Sequence, residues 1–368
     1  MSIRLKWFFF VLMLAALAFG FLHLFADAGP YTFERLHVFL FNLCAGGSVI
    51  LFFSEQPRRF SPRVCLFMAL AMAYAVFAFL MIYIPAVVLS LVLALIVESV
   101  RVQRFSLFPW GFFKKTEPVD QKFHQAALLC LSLGLAISAA VIVNNEYLKL
   151  VSFAKLQLDV FFLGFSFPVS LITLSLIFSF MTGPETTGLR MLKEIGFWAV
   201  NLGVIIFFLF IIFENLPSQV GVTLILFGAV AMITVLYYRL GKVAQQKHFL
   251  TSGMGFLLVT AITGIAYIFA ELGSGYTSEK YHWLLKLHAF ASLYGWNLCG
   301  LAVIFRYDDF PIALHSRPLI VFHWITALVL APLGIYFPLF SLMALVCYAV
   351  LLYAILFAAR APSPLGGQ

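Results

Sequence analysis

Runs of about 20 apolar residues, roughly the length of helix that crosses a hydrocarbon core, recur along the whole chain and are interrupted by short polar stretches. They predict twelve helices, near residues 5–26, 35–54, 63–82, 84–100, 123–144, 156–181, 195–215, 219–239, 249–271, 283–305, 319–336 and 338–359. Helix breakers agree, because Pro30, Pro57, Pro62, Pro85, Pro184, Pro217, Pro311, Pro318 and Pro338 fall at or beside these boundaries. Pro168 and Pro332 fall inside spans and predict kinks, since proline removes a donor and crowds the carbonyl four residues earlier. The first run follows Arg4 and Lys6 as a secretion signal would, but it exceeds the usual apolar length of about 7–15 residues and reads as a retained span. No stretch between runs is long enough for a second folded domain, so residues 1–368 form one all-α transmembrane domain.

A short pattern recurs every fourth span. Arg35-Leu36-His37-Val38-Phe39, Gln157-Leu158-Asp159-Val160-Phe161 and Lys286-Leu287-His288-Ala289-Phe290 open the second, sixth and tenth runs. This suggests repeats over 1–100, 101–190 and 191–318, with 319–368 completing the first arc of a pseudo-threefold ring.

Composition removes other classes. The chain is 63% hydrophobic and 10% charged, against about 45–50% apolar content in soluble domains. Of the 23 Lys and Arg, 18 fall in alternate loops together with both ends. The excess of basic loops on the inner side of membranes then predicts cytoplasmic termini in a bacterial-type inner membrane. That distribution accounts for the net charge of +8 by topology, with no nucleic-acid partner and the lipid bilayer as the main one. Cys44, Cys65, Cys130, Cys299 and Cys347 are scattered singly through apolar runs, without metal-site spacing. The loop from Arg101 to Lys122 mixes Phe105, Phe108, Trp110, Phe112 and Phe113 with lysines, as a segment in the headgroup layer does.

Ionisable groups inside spans are the candidates for chemistry. His37 and His288 stand about one turn inside their predicted helices at matched depth, and neutral imidazole is a common ligand of haem iron. Gly46, Gly47, Gly295 and Gly300 on the same spans leave room for a bulky ring or another helix. The alternative for each histidine is an ordinary interhelical hydrogen bond. Asp159 holds the equivalent place on the sixth span, either paired with Lys155 at the interface or facing the centre as a proton acceptor or partner of a histidine. His282 precedes His288 by six residues, about 240° round a helix, and is assigned to the loop. Asn42, Ser48, Asn201, Ser292 and Asn297 suit interhelical hydrogen bonds. Phosphate-loop, zinc-protease and Ser-His-Asp signatures are absent.

Arg317-Pro318-Leu319-Ile320-Val321-Phe322-His323-Trp324 resembles the Arg…His-Trp segment of membrane-bound b-type cytochromes, which would make His323 a further haem ligand. A His-Trp pair beside a basic loop is also common at membrane interfaces. Twelve spans with a four-span repeat resemble subunit I of the haem-copper oxidase superfamily. There, histidines near the outer ends of helices two and ten bind the low-spin haem, and these match His37 and His288. The His-x-His of the tenth helix and the copper histidines of that family have no counterpart, since Lys286 precedes Leu287-His288. The chain is therefore more similar to NnrS-type haem proteins, and its Leu287-to-Trp296 pattern to YndJ-like proteins.

The resemblance implies haem b and electron transfer or handling of NO or O2 without a binuclear centre, with a cytochrome, quinone or other respiratory-complex subunit as partner. Whether the chain is an enzyme stays open. The alternatives are a secondary transporter and a structural or assembly subunit of a respiratory complex.

Overall fold

A computed structural model describes residues 1–22, 24–26, 31–55, 60–152, 155, 160–183, 186–242, 245–273, 275–307 and 316–358. The described residues contain helices and connecting turns, with no strand beyond an isolated bridge between Met181 and Gly241. The helices are α1 (Ile3–Leu22), α2 (Phe33–Ser54), α3 (Pro62–Phe79), α4 (Tyr83–Arg104), α5 (Val119–Leu148), α6 (Val160–Ser166 running on through Phe167–Ser179), α7 (Thr187–Ile212), α8 (Leu216–Leu240), α9 (Gln245–Leu272), α10 (Ser278–Phe290 running on to Phe305), α11 (Arg317–Gly334) and α12 (Pro338–Phe357). Eleven are long and apolar enough to cross a membrane, and the described part of α6 is a shorter apolar helix. The protein is thus an all-α, multi-pass membrane protein.

Several helices outrun their apolar stretches. α7 starts at Thr187 because the Thr186 hydroxyl accepts the Leu189 N–H at 3.2 Å and caps it. α4 continues to Arg104 through a polar last turn. Hydropathy reports the part of a helix within lipid, and these turns extend beyond it.

The helices form a ring around three central ones. In α2 and α10 the apolar window is 83% and 78% buried, against 28–56% in the other nine spanning helices. Leu171–Phe178 of α6 is buried throughout. These three pack on one another, and each is flanked by its sequence neighbours, α1 and α3, α5 and α7, α9 and α11. α12 lies along α1 and closes the ring, so the last helix packs beside the first. The expected repeat edges at 100, 190 and 318 fall inside α4, α7 and α11. Grouping each central helix with the three peripheral helices before it gives α11-α12-α1-α2, α3-α4-α5-α6 and α7-α8-α9-α10.

Each central helix contains a wider π-helical stretch, Phe39–Gly47 in α2, Val160–Ser166 in α6 and Ala291–Asn297 in α10. Two more lie in peripheral helices, Asn144–Leu148 at the end of α5 and Thr326–Leu330 in α11. Two of these precede the internal prolines. In α11 the Ala331 N–H reaches the Thr326 carbonyl, five residues back, just before Pro332. The wider turn relieves the clash between a proline ring and the carbonyl four residues earlier. The expected kinks at Pro168 and Pro332 therefore take the form of π turns.

Trp7 packs on Phe357 with ring centroids 4.6 Å apart, which puts the start of α1 and the end of α12 at one end of the bundle, here the terminal end. At the opposite end, Met81 and Glu214 take left-handed backbone (φ 57° and 53°) and reverse the chain between α3 and α4 and between α7 and α8.

Candidate ligand and polar sites of the central helices

The histidines of α2 and α10 are held in the same way. His37 Nδ1 lies 2.8 Å from the carbonyl of Ala16 on α1, and His288 Nδ1 lies 2.9 Å from the carbonyl of Thr260 on α9. A carbonyl only accepts, so in each ring Nδ1 carries the proton and Nε2 keeps its lone pair. Four residues beyond each carbonyl is a glycine facing the ring. A Cβ on Gly20 would lie 2.8 Å from His37 Nδ1, and one on Gly264 would lie 3.3 Å from His288. The backbone carbonyl and adjoining glycine thus come each time from the helix preceding the central one. The Lys286–Glu34 ion pair, at 2.5 Å, sets α2 and α10 level just before the two histidines. Matched depth therefore holds, although α10 starts at Ser278 and places His288 about three turns, not one, from its helix start.

Among the described residues the two rings share no partner. His37 turns to α1 and to Tyr294 of α10, whose hydroxyl lies 2.8 Å from Nδ1 and 3.4 Å from Nε2. The phenol oxygen therefore stands against the edge of the His37 ring, nearer Nδ1 than Nε2. His288 turns to α9, and among the described residues its Nε2 has no hydrogen-bond partner. The expected haem clamp, with both imidazoles on one shared cavity, is replaced by separate settings in two arcs.

Tyr294 also receives the third histidine. His323 of α11 is fully buried and donates Nε2–H to the Tyr294 carbonyl at 2.5 Å, with its other nitrogen 4.0 Å from Cys299 Sγ. Phe256 packs on its ring at 4.6 Å, and neighbouring Trp324 donates to Ser252 at 2.8 Å. The His-Trp pair is therefore an α9–α10–α11 packing element, not interfacial dressing. Tyr294 is itself buried among Phe41, Phe290 and Tyr348.

Where the central helices meet, Asn297 of α10 joins all three. Its amide nitrogen donates to Ser166 Oγ of α6 at 3.1 Å and to Asn42 Oδ1 of α2 at 3.4 Å, and its oxygen accepts from Ser170 at 3.0 Å. Trp296 donates to Ser170 at 2.9 Å. Gly46 abuts Val169, Gly47 abuts Phe67, Gly295 abuts Phe256 and Gly300 abuts Thr173, so these glycines admit neighbouring helices, not a planar ligand.

Of the remaining expected residues, Asp159 lies outside the described residues. Lys155, its expected partner, reaches Glu214 at 3.7 Å. His282 belongs to the first turns of α10 and not to a loop, because Thr277 caps that helix through the Lys280 N–H at 3.4 Å. Tyr294, Ser166, Ser170, Ala16 and Thr260 escaped the sequence reading. Only Tyr294 carried a signal, a phenol in mid-span that needs a partner when buried.

Among the described residues no cluster of three or more His, Cys, Asp and Glu could hold a metal. For a haem, the donor chemistry fits at His288, where a tautomer fixed by a carbonyl leaves a lone pair unengaged. At His37 the fit fails in the present packing, because Tyr294 stands on the ring. No family model, characterised protein or solved structure matches the chain.

Proposed function

We propose that this protein is an integral membrane haem b protein, serving electron transfer or the handling of a diatomic gas, with His288 as the iron ligand and no binuclear haem-copper centre. The supporting observation is the repeated imidazole setting. A metal-ligating histidine ordinarily gives its other N–H to a carbonyl or carboxylate, which orients the ring and raises ligand basicity. Thr260 does this for His288, and Gly264 leaves the ring its place. When bound, the haem would supply a one-electron couple or a gas-binding iron. His37 and His323, both engaged with Tyr294, brace the adjacent arc and become ligands only if Tyr294 moves. Three central helices in three arcs support this reading over a carrier, which tends to be built from two related halves. A bacterial-type inner membrane with cytoplasmic termini, and a cytochrome, quinone or respiratory-complex subunit as redox partner, complete the proposal.

The test is the reduced optical spectrum of protein purified from haem-replete cells. A Soret band and resolved α band are expected, lost in His288→Ala and kept in His37→Ala. No Soret absorbance in the unaltered protein, or unchanged haem content in His288→Ala, overturns the proposal.

A further inference from the structure

The terminal ends of α2, α3, α4 and α5 line an open cavity of about 850 Å³ that the haem reading does not use. Its wall carries Arg63, Arg104, Glu55, Glu117, Gln103 and Gln121. Pockets for small ligands run to about 300–1,000 Å³ and are mostly apolar, so the two cations and two anions mark this one as selective for charge.

Its groups are positioned by the structure around them. Arg104 donates to the Ser54 carbonyl at 3.0 Å and to Gln121 at 3.3 Å, and its guanidinium lies 5.6 Å from the Phe105 ring centre. Arg63 donates to Gln103 at 2.7 Å and stands 3.9 Å from Glu55. Among the described residues the Glu117 carboxylate has no hydrogen-bond or ion-pair partner. Two guanidinium groups suit a phosphate, which Arg binds through paired N–H groups. Two carboxylates suit a primary ammonium. The cavity borders the segment in which Leu107, Phe108, Trp110 and Phe113 are all exposed, as aromatic and apolar residues are at headgroup depth. Neighbouring Arg101 is buried and holds this segment by donating to the Ser106 and Leu107 carbonyls at 3.0 and 2.8 Å.

We infer that this cavity binds the headgroup of a phospholipid carrying a phosphodiester and a primary amine, of the phosphoethanolamine type, with the phosphate on Arg63 and Arg104 and the ammonium on Glu55 and Glu117. A phosphocholine headgroup cannot donate hydrogen bonds to the carboxylates, and a phosphoglycerol headgroup offers them no charge.

The test is native mass spectrometry of the full chain in detergent with equal amounts of phosphatidylethanolamine, phosphatidylcholine and phosphatidylglycerol. One phosphatidylethanolamine per chain is expected, retained several-fold over the other two. Arg63→Gln lowers retention of phosphatidylethanolamine and phosphatidylglycerol together. Glu117→Gln, which removes a charge with no protein partner and leaves the melting temperature unchanged, abolishes the preference for phosphatidylethanolamine over phosphatidylglycerol. Equal retention of the three lipids, a preference for phosphatidylglycerol, an unaltered preference in Glu117→Gln, or equally tight binding of soluble phosphoethanolamine overturns the assignment.

Discussion

Single atoms decide the state of the half-buried imidazoles. Because Ala16 and Thr260 each present a carbonyl to Nδ1, both histidines keep a lone pair on Nε2, and what meets that nitrogen separates them. The Tyr294 hydroxyl stands against the His37 ring, 2.8 Å from Nδ1 and 3.4 Å from Nε2, while among the described residues no hydrogen-bonding group meets Nε2 of His288. The glycines beside them differ in tolerance. Gly20→Ala puts a methyl 2.8 Å from His37 Nδ1, which forces the ring or α1 to move, whereas Gly264→Ala puts one 3.3 Å from His288, which needs only a small shift. Thermal unfolding in detergent should therefore show a cost of about 1–3 kcal/mol for Gly20→Ala, the range for overpacking a tight core, and a clearly smaller one for Gly264→Ala. Equal costs would mean that the two settings are not distinguished by fit.

At the scale of the helix, the path depends on a few local departures from regular geometry. Thr186, Ser61 and Thr277 cap helices through side-chain oxygens, as hydroxyl residues before apolar runs commonly do. Met81 and Glu214 carry side chains in left-handed backbone that glycine adopts without penalty. Met81→Gly and Glu214→Gly should each stabilise the protein, by about 1 kcal/mol at most, since the strain relieved is partly offset by the greater freedom of glycine when unfolded. A lower unfolding midpoint in either variant would show that the native side chain contributes more than its backbone costs. The π turns of the central helices and of α11 fall into two settings. Those in α6 and α11 precede Pro168 and Pro332, while those in α2 and α10 lie among the contacts of the central helices, with no proline to require them.

At the scale of the molecule, the bundle is joined through a polar centre in an apolar body. Lipid is as apolar as leucine, so burial gives little reason for helices to associate within a membrane, and hydrogen bonds and close packing carry more of the specificity. Asn297 contacts α2 and α6 from α10, which makes it the residue that ties the three arcs. Asn297→Leu should cost about 1–2 kcal/mol, given roughly 0.6 kcal/mol for an average interhelical hydrogen bond. Melting and proteolysis would report it, with cleavage expected in loops of all three arcs and not one. Arg306 acts at the rim, donating to the Ile355 and Ala358 carbonyls at 2.9 and 2.6 Å and so holding the end of α12 against α10.

The number of spans, their order and their approximate limits were open to sequence reasoning because a bilayer demands about 20 apolar residues per crossing and puts polar and breaking residues between crossings. Spans two, six and ten could be singled out because a polar residue opens each at the same place, and such a residue is costly in lipid, although Asp159 of span six lies outside the described residues. What each histidine faces was not visible. In a soluble helix the polar face marks the outside, but here lipid and interior are equally apolar, and the apolar pattern does not say which way a helix is turned. The turning depends on residues hundreds of positions away: Tyr294 beside His37, and Asn42 beside Asn297. Tertiary structure alone therefore separated His37 from His288, drew His323 into the interior and gathered Arg63, Arg104, Glu55 and Glu117 around one cavity, because each of those relations is a contact between helices that the local chain does not encode.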